Sequence, residues 1–128
     1  MTEDIKPQGQ LSLKVSAMPK DANAAGDIFG GWVMSQMDSA ASLCASEVAH
    51  SRVVTAGVNA MSFERPVKVG DTLAIYTDDI RVGTTSIRFR VEAWAIRYLS
   101  HELERVTVSE FVMVALDEYG KPKPVKDK

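Results

Sequence analysis

The sequence predicts an α+β domain in which one long helix packs against a five-stranded antiparallel sheet. Three observations lead to this prediction: an alternating strand pattern comes first, a single long apolar helix follows it, and four β segments separated by short turns make up the rest. Long strands joined by short turns pair as antiparallel neighbours, and one apolar helix has only their sheet to pack against. A chain of 128 residues suits one such domain with one core.

The first part of the chain contains an arm, a strand, a loop and the helix. Residues 1–10 are mostly polar and are expected to form a flexible arm. Apolar and polar residues alternate over 11–16, which predicts the first strand. Turn formers fill 19–26, and the helix is expected from about residue 31 to residue 49. This helix is apolar nearly all round, a pattern that is typical of a buried helix.

Four β segments follow the helix and are separated by Pro, Gly and polar turns. They are expected at 52–63, 72–82, 84–98 and 105–116. Residues 11–120 therefore form a single domain, and the Pro- and Lys-rich residues 121–128 are expected to form a flexible tail. One helix leaves the other face and an edge of so long a sheet uncovered, which favours oligomerisation.

Composition excludes several classes of function. The formal net charge of −2 gives no broad attraction to nucleic acid or to anionic lipid, so neither is expected as a partner. The single cysteine, Cys44, excludes an intrachain disulfide and is interpreted as a small core residue. The acidic start lacks the features of a signal peptide, and no apolar run is long enough to span a membrane. A cytoplasmic location is therefore expected.

The most informative stretch is a Gly-Gly pair that opens the helix, followed by one carboxylate. Gly30 and Gly31 lack a Cβ, so a ligand can approach the backbone closely, and the helix start directs free N–H groups and partial positive charge at that ligand. Asp38 lies about two turns after Gly31 and so on the same helix face. A loop ending and a solvated surface carboxylate are the alternative interpretations. The apolar surroundings of Asp38 favour a functional role, because an unpaired carboxylate is costly there.

Other candidate residues give weaker signals. His50 and His101 have no second metal-ligating residue at a suitable spacing, so no metal site is expected. Ser35 and Ser39 flank Asp38 without a histidine at helical spacing, which argues against a Ser-His-Asp triad. Asn23 is of a residue type that is common in turns and at helix caps, and it is interpreted as such a residue from the sequence pattern alone. Five basic residues could meet the phosphates of a nucleotide or could simply form a solvated face: Arg65, Lys68, Arg81, Arg88 and Arg90.

The segment from Met18 to Asp38 closely resembles the opening of the YciA-like acyl-CoA thioesterases, the cytosolic acyl-CoA hydrolase group with the hotdog fold. Shorter matches follow this segment in the same order along the chain. The resemblance as a whole covers Leu13 to Leu116. The shorter matches are His-Ser-Arg-Val-Val-Thr at 50–55, Phe63 with Arg-Pro-Val at 65–67, Val-Gly-Asp at 69–71, Val-Gly at 82–83 with Ser-Ile at 86–87, and Val-Glu at 91–92 with Trp94. The resemblance implies a thioesterase that hydrolyses acyl-CoA to a free acid and coenzyme A.

The resemblance also implies roles for individual residues. It makes Asp38 the catalytic carboxylate, as general base or nucleophile, and pairs it with an Asn23 that belongs to the other subunit of a dimer. It makes the N–H of Gly31, beside Gly30, the donor to the thioester carbonyl. The implied coenzyme A contacts form one turn, Gly83, Thr84, Thr85 and Ser86. No cofactor is implied beyond the coenzyme A of substrate and product, and the implied assembly is a dimer with a continuous sheet, with a further step to a hexamer as a trimer of dimers.

Two other functions stay open at this point. A non-catalytic module that binds or senses acyl-CoA would use the same pocket, although the intact Asp38 argues against it. A hotdog dehydratase or hydratase would resemble its relatives through a histidine near the helix start, and no histidine lies between Met1 and Ala49.

Overall fold

Five strands and one long helix build the fold in this computed structural model, which describes residues 5–125. The strands are β1 (Gln10–Ser16), β2 (Arg52–Val58), β3 (Thr72–Val82), β4 (Ser86–Ile96) and β5 (Leu103–Leu116), and the helix is α1 (Gly30–Ala49). All neighbouring strands are antiparallel, in the order β1-β3-β4-β5-β2. The predicted α+β architecture, one central helix against a five-stranded antiparallel sheet, is therefore confirmed. Within the described residues no helix is long and apolar enough to cross a membrane.

One face of α1 packs on the sheet and supplies the core. Its buried residues are small or unbranched at most positions: Val33, Met37, Ala40, Ala41, Ala45 and Ala49. The alanines let the helix axis approach the sheet, whose facing residues include Ile75, Ile87, Phe89, Phe111 and Met113. The prediction of a helix buried all round is wrong for the single chain. Met34, Leu43 and Val48 are 39%, 58% and 39% exposed, because one sheet covers only one side of a helix.

The edge strand β2 contains a bulge that changes which side chains face the helix. Thr55 pairs with Met113 and Gly57 pairs with Val112, so that Ala56 is an extra residue without a partner. Because a bulge shifts the alternation of side chains by one, Val58 lies on the same side of the sheet as Thr55. Bulges are common beside active sites, where they redirect a side chain.

β2 ends five residues earlier than the sequence predicts. Beyond Val58 the chain still follows β5, but it bonds there irregularly: the N–H of Asn59 donates to Glu110 and the N–H of Glu64 donates to Val106. The hydroxyl of Thr107 donates to the carbonyl of Ser62 at 2.6 Å. A side-chain donor thus replaces a backbone donor, and the regular ladder stops.

The segment that leads into α1 is hydrogen-bonded to the loop that precedes β3. The N–H of Ile28 donates to the carbonyl of Val67 at 2.9 Å. The Arg97 guanidinium donates to the neighbouring carbonyl of Pro66 at 2.9 Å and to the buried carboxylate of Asp71 at 2.6 Å. Hydrogen bonds thus link the segment before the helix start, through the loop at Pro66 and Val67, to the ion pair between the partly buried Arg97 and the buried Asp71.

This ion pair is stable around neutral pH. Burial alone would lower the pKa of Arg97, but hydrogen bonds to Glu104 and Asp71 and their negative charges outweigh it, so the pKa of the guanidinium is raised. While its carboxylate partners are ionised, a cation whose pKa is raised by folding stabilises the fold below its unfolded pKa. Titration of Arg97 itself removes this stabilisation only in strong alkali.

Both ends of the described chain contact the sheet. Of the segment 1–10, the N–H of Gln8 donates to the buried carboxylate of Glu92 at 3.3 Å. Of the segment 121–128, the N–H of Lys123 donates to Ala115 at 2.9 Å, and Val125 is buried with its N–H donating to Thr84 at 2.8 Å. The remainder of the predicted arm and tail, residues 1–4 and 126–128, lies outside the described residues.

Candidate active site

Asp38 is held by a contact from the neighbouring strand. It lies in the third turn of α1, half-buried, on the side of the helix that faces β2. The hydroxyl of Thr55 donates a hydrogen bond to its Oδ1 atom. Hydrogen bonds to a charged acceptor are stronger than neutral ones and orient the carboxylate. The second carboxylate oxygen has no partner among the described residues and can serve a bound molecule.

A cavity of about 320 Å³ opens in front of Asp38. We call it the Asp38 cavity. It is lined by Gly31, Met34, Ser35, Asp38, Thr55, Val58 and Phe111. Asp38 is the only ionisable side chain in this lining, and most of the wall is apolar. Gly31 and Asp38 thus meet in one cavity, where an apolar wall strengthens the electrostatic effect of each on a bound carbonyl group.

The helix start offers backbone donors. Phe29 precedes the helix, and its carbonyl accepts the N–H groups of Trp32 and Val33 at 3.1 and 3.3 Å. The N–H groups of Gly30 and Gly31 have no hydrogen-bond acceptor among residues 5–125. A Cβ added to Gly31 would meet nothing within 4 Å, so there is room for a ligand beside this peptide. Free N–H groups and the helix dipole together favour negative charge at this point.

A second cavity, also of about 320 Å³, lies on the other side of the helix start. We call it the Phe63 cavity. Gly30 lines it, and a Cβ added to Gly30 would lie 3.4 Å from the ring of Phe63. Its wall is otherwise apolar, with Ile28, Val33, Val67 and Val106, and the exposed residues Glu64, Arg65 and Pro66 form its rim. The two adjacent glycines therefore each line one of two cavities.

The single chain does not bring Asn23 to Asp38. Asn23 is exposed in the loop before α1 and lines neither cavity. Its Oδ1 atom accepts the N–H groups of Ala25 and Asp27 at 2.9 and 3.1 Å, which is the contact of a turn residue. Within one chain, the interpretation of Asn23 as a turn residue therefore describes its contacts.

The turn Gly83–Thr84–Thr85–Ser86 lies at the opposite end of the sheet from the helix start. Ser86 pairs with Val114, whereas Gly30 shares the Phe63 cavity with Val106. Eight residues of β5 separate Val106 from Val114, a span of about 26 Å. The turn is rigidly held, since the carbonyl of Thr85 accepts the N–H of Ala115 at 2.9 Å and the carbonyl of Thr84 accepts that of Val125. None of the four turn residues lines the Asp38 cavity of the same chain.

The remaining candidates have structural roles in the single chain. His50 ends the helix in a left-handed conformation, and His101 has a positive φ in the β4–β5 turn. The hydroxyl of Ser35 donates to the carbonyl of Trp32.

Four of the five basic candidates have partners: Lys68 with Asp27, Arg88 with Glu110, Arg90 with Glu92, and Arg65 with the carbonyl of Arg105. Across the described chain, no three His, Cys, Asp or Glu residues form a potential metal site.

Thr55 is the residue that sequence reasoning missed as a functional candidate. It comes 17 residues after Asp38, across the end of the helix and into the next strand. No helical or strand periodicity links positions in two different elements. The available signal was a polar residue at a helix-facing position of a strand, between Val53 and the bulge.

Comparisons with known proteins identify the family to which this fold belongs. The model of the thioesterase superfamily matches residues 25–97. The acyl-CoA thioester hydrolase YciA of Salmonella typhimurium is 47% identical over 127 residues, which cover 97% of this chain and 96% of that protein. A hexameric thioesterase from Yersinia pestis has a similar structure, with a TM-score of 0.91, 43% identity, and coverage of 95% of this chain and 100% of that chain.

A more distant solved structure is also informative. The acyl-CoA hydrolase of Staphylococcus aureus is 29% identical with a TM-score of 0.80, over 88% of this chain and 69% of that chain. Its solved variants include one in which a threonine is replaced by alanine and one in which an aspartate is replaced by alanine.

Proposed function

Because the chain belongs to the thioesterase superfamily, and within it to the YciA-like acyl-CoA thioester hydrolases with the hotdog fold, we propose that its reaction takes place in the Asp38 cavity. The observation that carries the proposal is that this cavity contains both a free N–H at a helix start and a carboxylate held in place by a hydroxyl. Hydrolysis of a thioester needs a donor for the carbonyl oxygen and a group that activates water or attacks directly.

The N–H of Gly31 polarises the thioester carbonyl. As the carbonyl carbon becomes tetrahedral, its oxygen gains negative charge, and the donor and the helix dipole stabilise that charge. Removal of one such donor typically raises the barrier by about 3–4 kcal/mol. The C–S bond then breaks, and the coenzyme A thiolate leaves and takes up a proton.

Asp38 supplies the second function, and two routes fit the cavity. As a general base, its carboxylate accepts a proton from water while the water oxygen bonds to the carbonyl carbon. As a nucleophile, it bonds to that carbon itself, forms a mixed anhydride, and water then hydrolyses the anhydride. In both routes Thr55 fixes one carboxylate oxygen and leaves the other for the reaction.

The spacing of Asp38 and Thr55 supports this pairing. In the Staphylococcus aureus hydrolase, the threonine that was replaced by alanine follows the replaced aspartate by the same number of residues as Thr55 follows Asp38. Both positions were thus chosen for substitution in a protein that hydrolyses acyl-CoA.

A second copy of the chain completes the site in this proposal. Neither Asn23 nor the Gly83–Ser86 turn lines the Asp38 cavity of its own chain, and the outward side of α1 exposes Met34 and Leu43. The edge strand β2 passes this cavity and has a free side, so antiparallel pairing of two β2 edges would continue the sheet. Such pairing brings the far end of the partner's sheet, with its turn, toward the helix start. Since the Yersinia pestis relative is hexameric, we propose that three such dimers form a hexamer.

The proposed function is tested by release of free thiol from a panel of acyl-CoAs, from acetyl-CoA to palmitoyl-CoA, followed with a thiol reagent. Hydrolysis is expected with at least one chain length and to persist fully after dialysis against a chelator, since the proposed route uses only protein groups. Loss of activity on chelation, with recovery on adding a divalent metal, would contradict this route. Binding of coenzyme A without release of thiol from any member would identify a binding module instead.

The hydroxyl of Thr55 is expected to matter for turnover. Thr55→Val keeps the shape of the side chain but removes the donor to Asp38, and we expect kcat to fall about 10–100-fold, the range that corresponds to a hydrogen bond to a charged group. Thr55→Ser keeps the hydroxyl and is the matched control, with kcat expected within a few-fold of the wild type. Equal kcat values for the valine and serine variants would show that this hydrogen bond has no part in catalysis.

A further inference from the structure

The Phe63 cavity is the second feature at the helix start, and the proposed reaction leaves it unused. It has the volume of a small-molecule site, which typically begins at about 300 Å³. Four of its wall residues are almost completely buried, namely Ile28, Val33, Val67 and Val106. The floor of the cavity is therefore part of the hydrophobic core, whereas Gly30, Phe63 and the rim reach solvent.

We propose that the Phe63 cavity takes the acyl chain of the substrate and that Phe63 determines chain-length preference. This inference rests on the proposed function of the Asp38 cavity. A thioester whose oxygen accepts the N–H of Gly31 lies beside Gly30, which lines the Phe63 cavity. The acyl substituent then enters that cavity, while Asp38 reaches the carbonyl carbon from the other side of the helix start.

The polar groups of this cavity argue for an alkyl chain rather than for the pantetheine arm of coenzyme A. Pantetheine carries two amides, which are costly to bury without hydrogen-bond partners. The two charged rim residues are already engaged: Arg65 donates to the carbonyl of Arg105 at 3.0 Å, and Glu64 accepts two contacts from the Arg105 guanidinium at 3.0 and 3.2 Å. An alkyl chain needs no such partners.

Phe63 closes the cavity on the side of the helix start. Its ring lies close to Gly30, where a Cβ would be only 3.4 Å away, and the ring is 44% exposed, so that it forms a wall rather than a core contact. Because burial of each methylene favours binding by about fourfold, a wall that contacts several methylenes changes the response to chain length and not the chemistry at the carbonyl.

The test compares kcat/KM across acetyl-, butyryl-, hexanoyl- and octanoyl-CoA. Phe63→Ala is expected to lower kcat/KM for octanoyl-CoA about tenfold, and that for acetyl-CoA by less than about twofold, because only long chains lose contact. Val106→Leu, which adds one carbon to the floor, is expected to shift the preference toward shorter chains. Phe29→Ala is the matched control, since this ring is 54% exposed and lines neither cavity; its dependence on chain length is expected to equal that of the wild type.

Three results would overturn the inference. A chain-length profile of Phe63→Ala that parallels the wild-type profile would show that the cavity holds no acyl chain. Equal losses at all chain lengths, with weaker inhibition by free coenzyme A, would place pantetheine there. Dissociation of Phe63→Ala into monomers in light scattering would show that a second copy covers the cavity. Failure of the proposed function has a different signature, because the wild type itself would release no thiol.

Discussion

Asp38→Asn is expected to lower kcat for every acyl-CoA by about 10²–10⁴-fold, the usual contribution of a positioned general base. Asparagine has nearly the same size and can still accept the hydrogen bond from Thr55, but it neither takes a proton from water nor attacks as an anion. Because the substitution adds no bulk to the half-buried site, the fold and the binding of coenzyme A are expected to persist.

The measurement is steady-state thiol release, with circular dichroism and coenzyme A binding as controls for folding and for the intact site. Ser39→Ala, an exposed neighbour on α1 that lines neither cavity, is the matched control and is expected to keep wild-type kcat. A kcat for Asp38→Asn within a few-fold of the wild type would remove Asp38 from the mechanism. Hydrolysis in ¹⁸O-labelled water separates the two routes, since label in the Asp38 side chain identifies the anhydride.

Mixing two inactive variants is expected to restore activity. Asn23→Ala and Asp38→Ala each lack one side chain of the proposed shared site, so each is expected to be inactive alone. When they are unfolded and refolded together, half of the dimers are mixed, and one of the two sites in each mixed dimer holds both wild-type residues. Random mixing of a two-fold symmetric dimer thus predicts recovery of about a quarter of wild-type activity.

The control is each variant refolded by itself, which is expected to stay inactive. Native mass spectrometry verifies that mixed dimers have formed. If they have formed and the mixture stays inactive, Asn23 and Asp38 do not act across an interface. A monomer in light scattering at assay concentration would contradict the shared site directly, because the single chain places Asn23 in a turn of its own loop.

Local periodicity was sufficient to predict the architecture. The alternation in β1, the long apolar α1 and the turns at Gly83 and after Ile96 determine one helix and five strands, and helical geometry puts Gly31 and Asp38 on one face. These features depend on residues that are close in the chain. There the spacing of apolar residues matches the period of the helix or strand that they form.

Features that depend on distant residues could not be predicted in this way. The contact from Thr55 to Asp38 joins two elements, and the bulge at Ala56 leaves no trace in the alternation of β2. The early end of β2 comes from the side chain of Thr107, 45 residues away from its partner Ser62. The sequence also did not predict that one side of α1 is exposed in the single chain. An apolar helix face indicates that the face is buried, but not whether its own chain or a second chain buries it.

The hydrogen bonds that hold the Gly83–Ser86 turn also allow opening of the turn to be measured at backbone amides outside it. The N–H groups of Ala115 and Val125 both donate to it, so neither amide can exchange with deuterium unless the turn separates from its neighbours. Exchange at these two positions therefore measures the free energy of local opening of the turn. Any molecule that rigidifies the turn slows exchange at Val125, an amide 41 residues further along the chain than its acceptor Thr84.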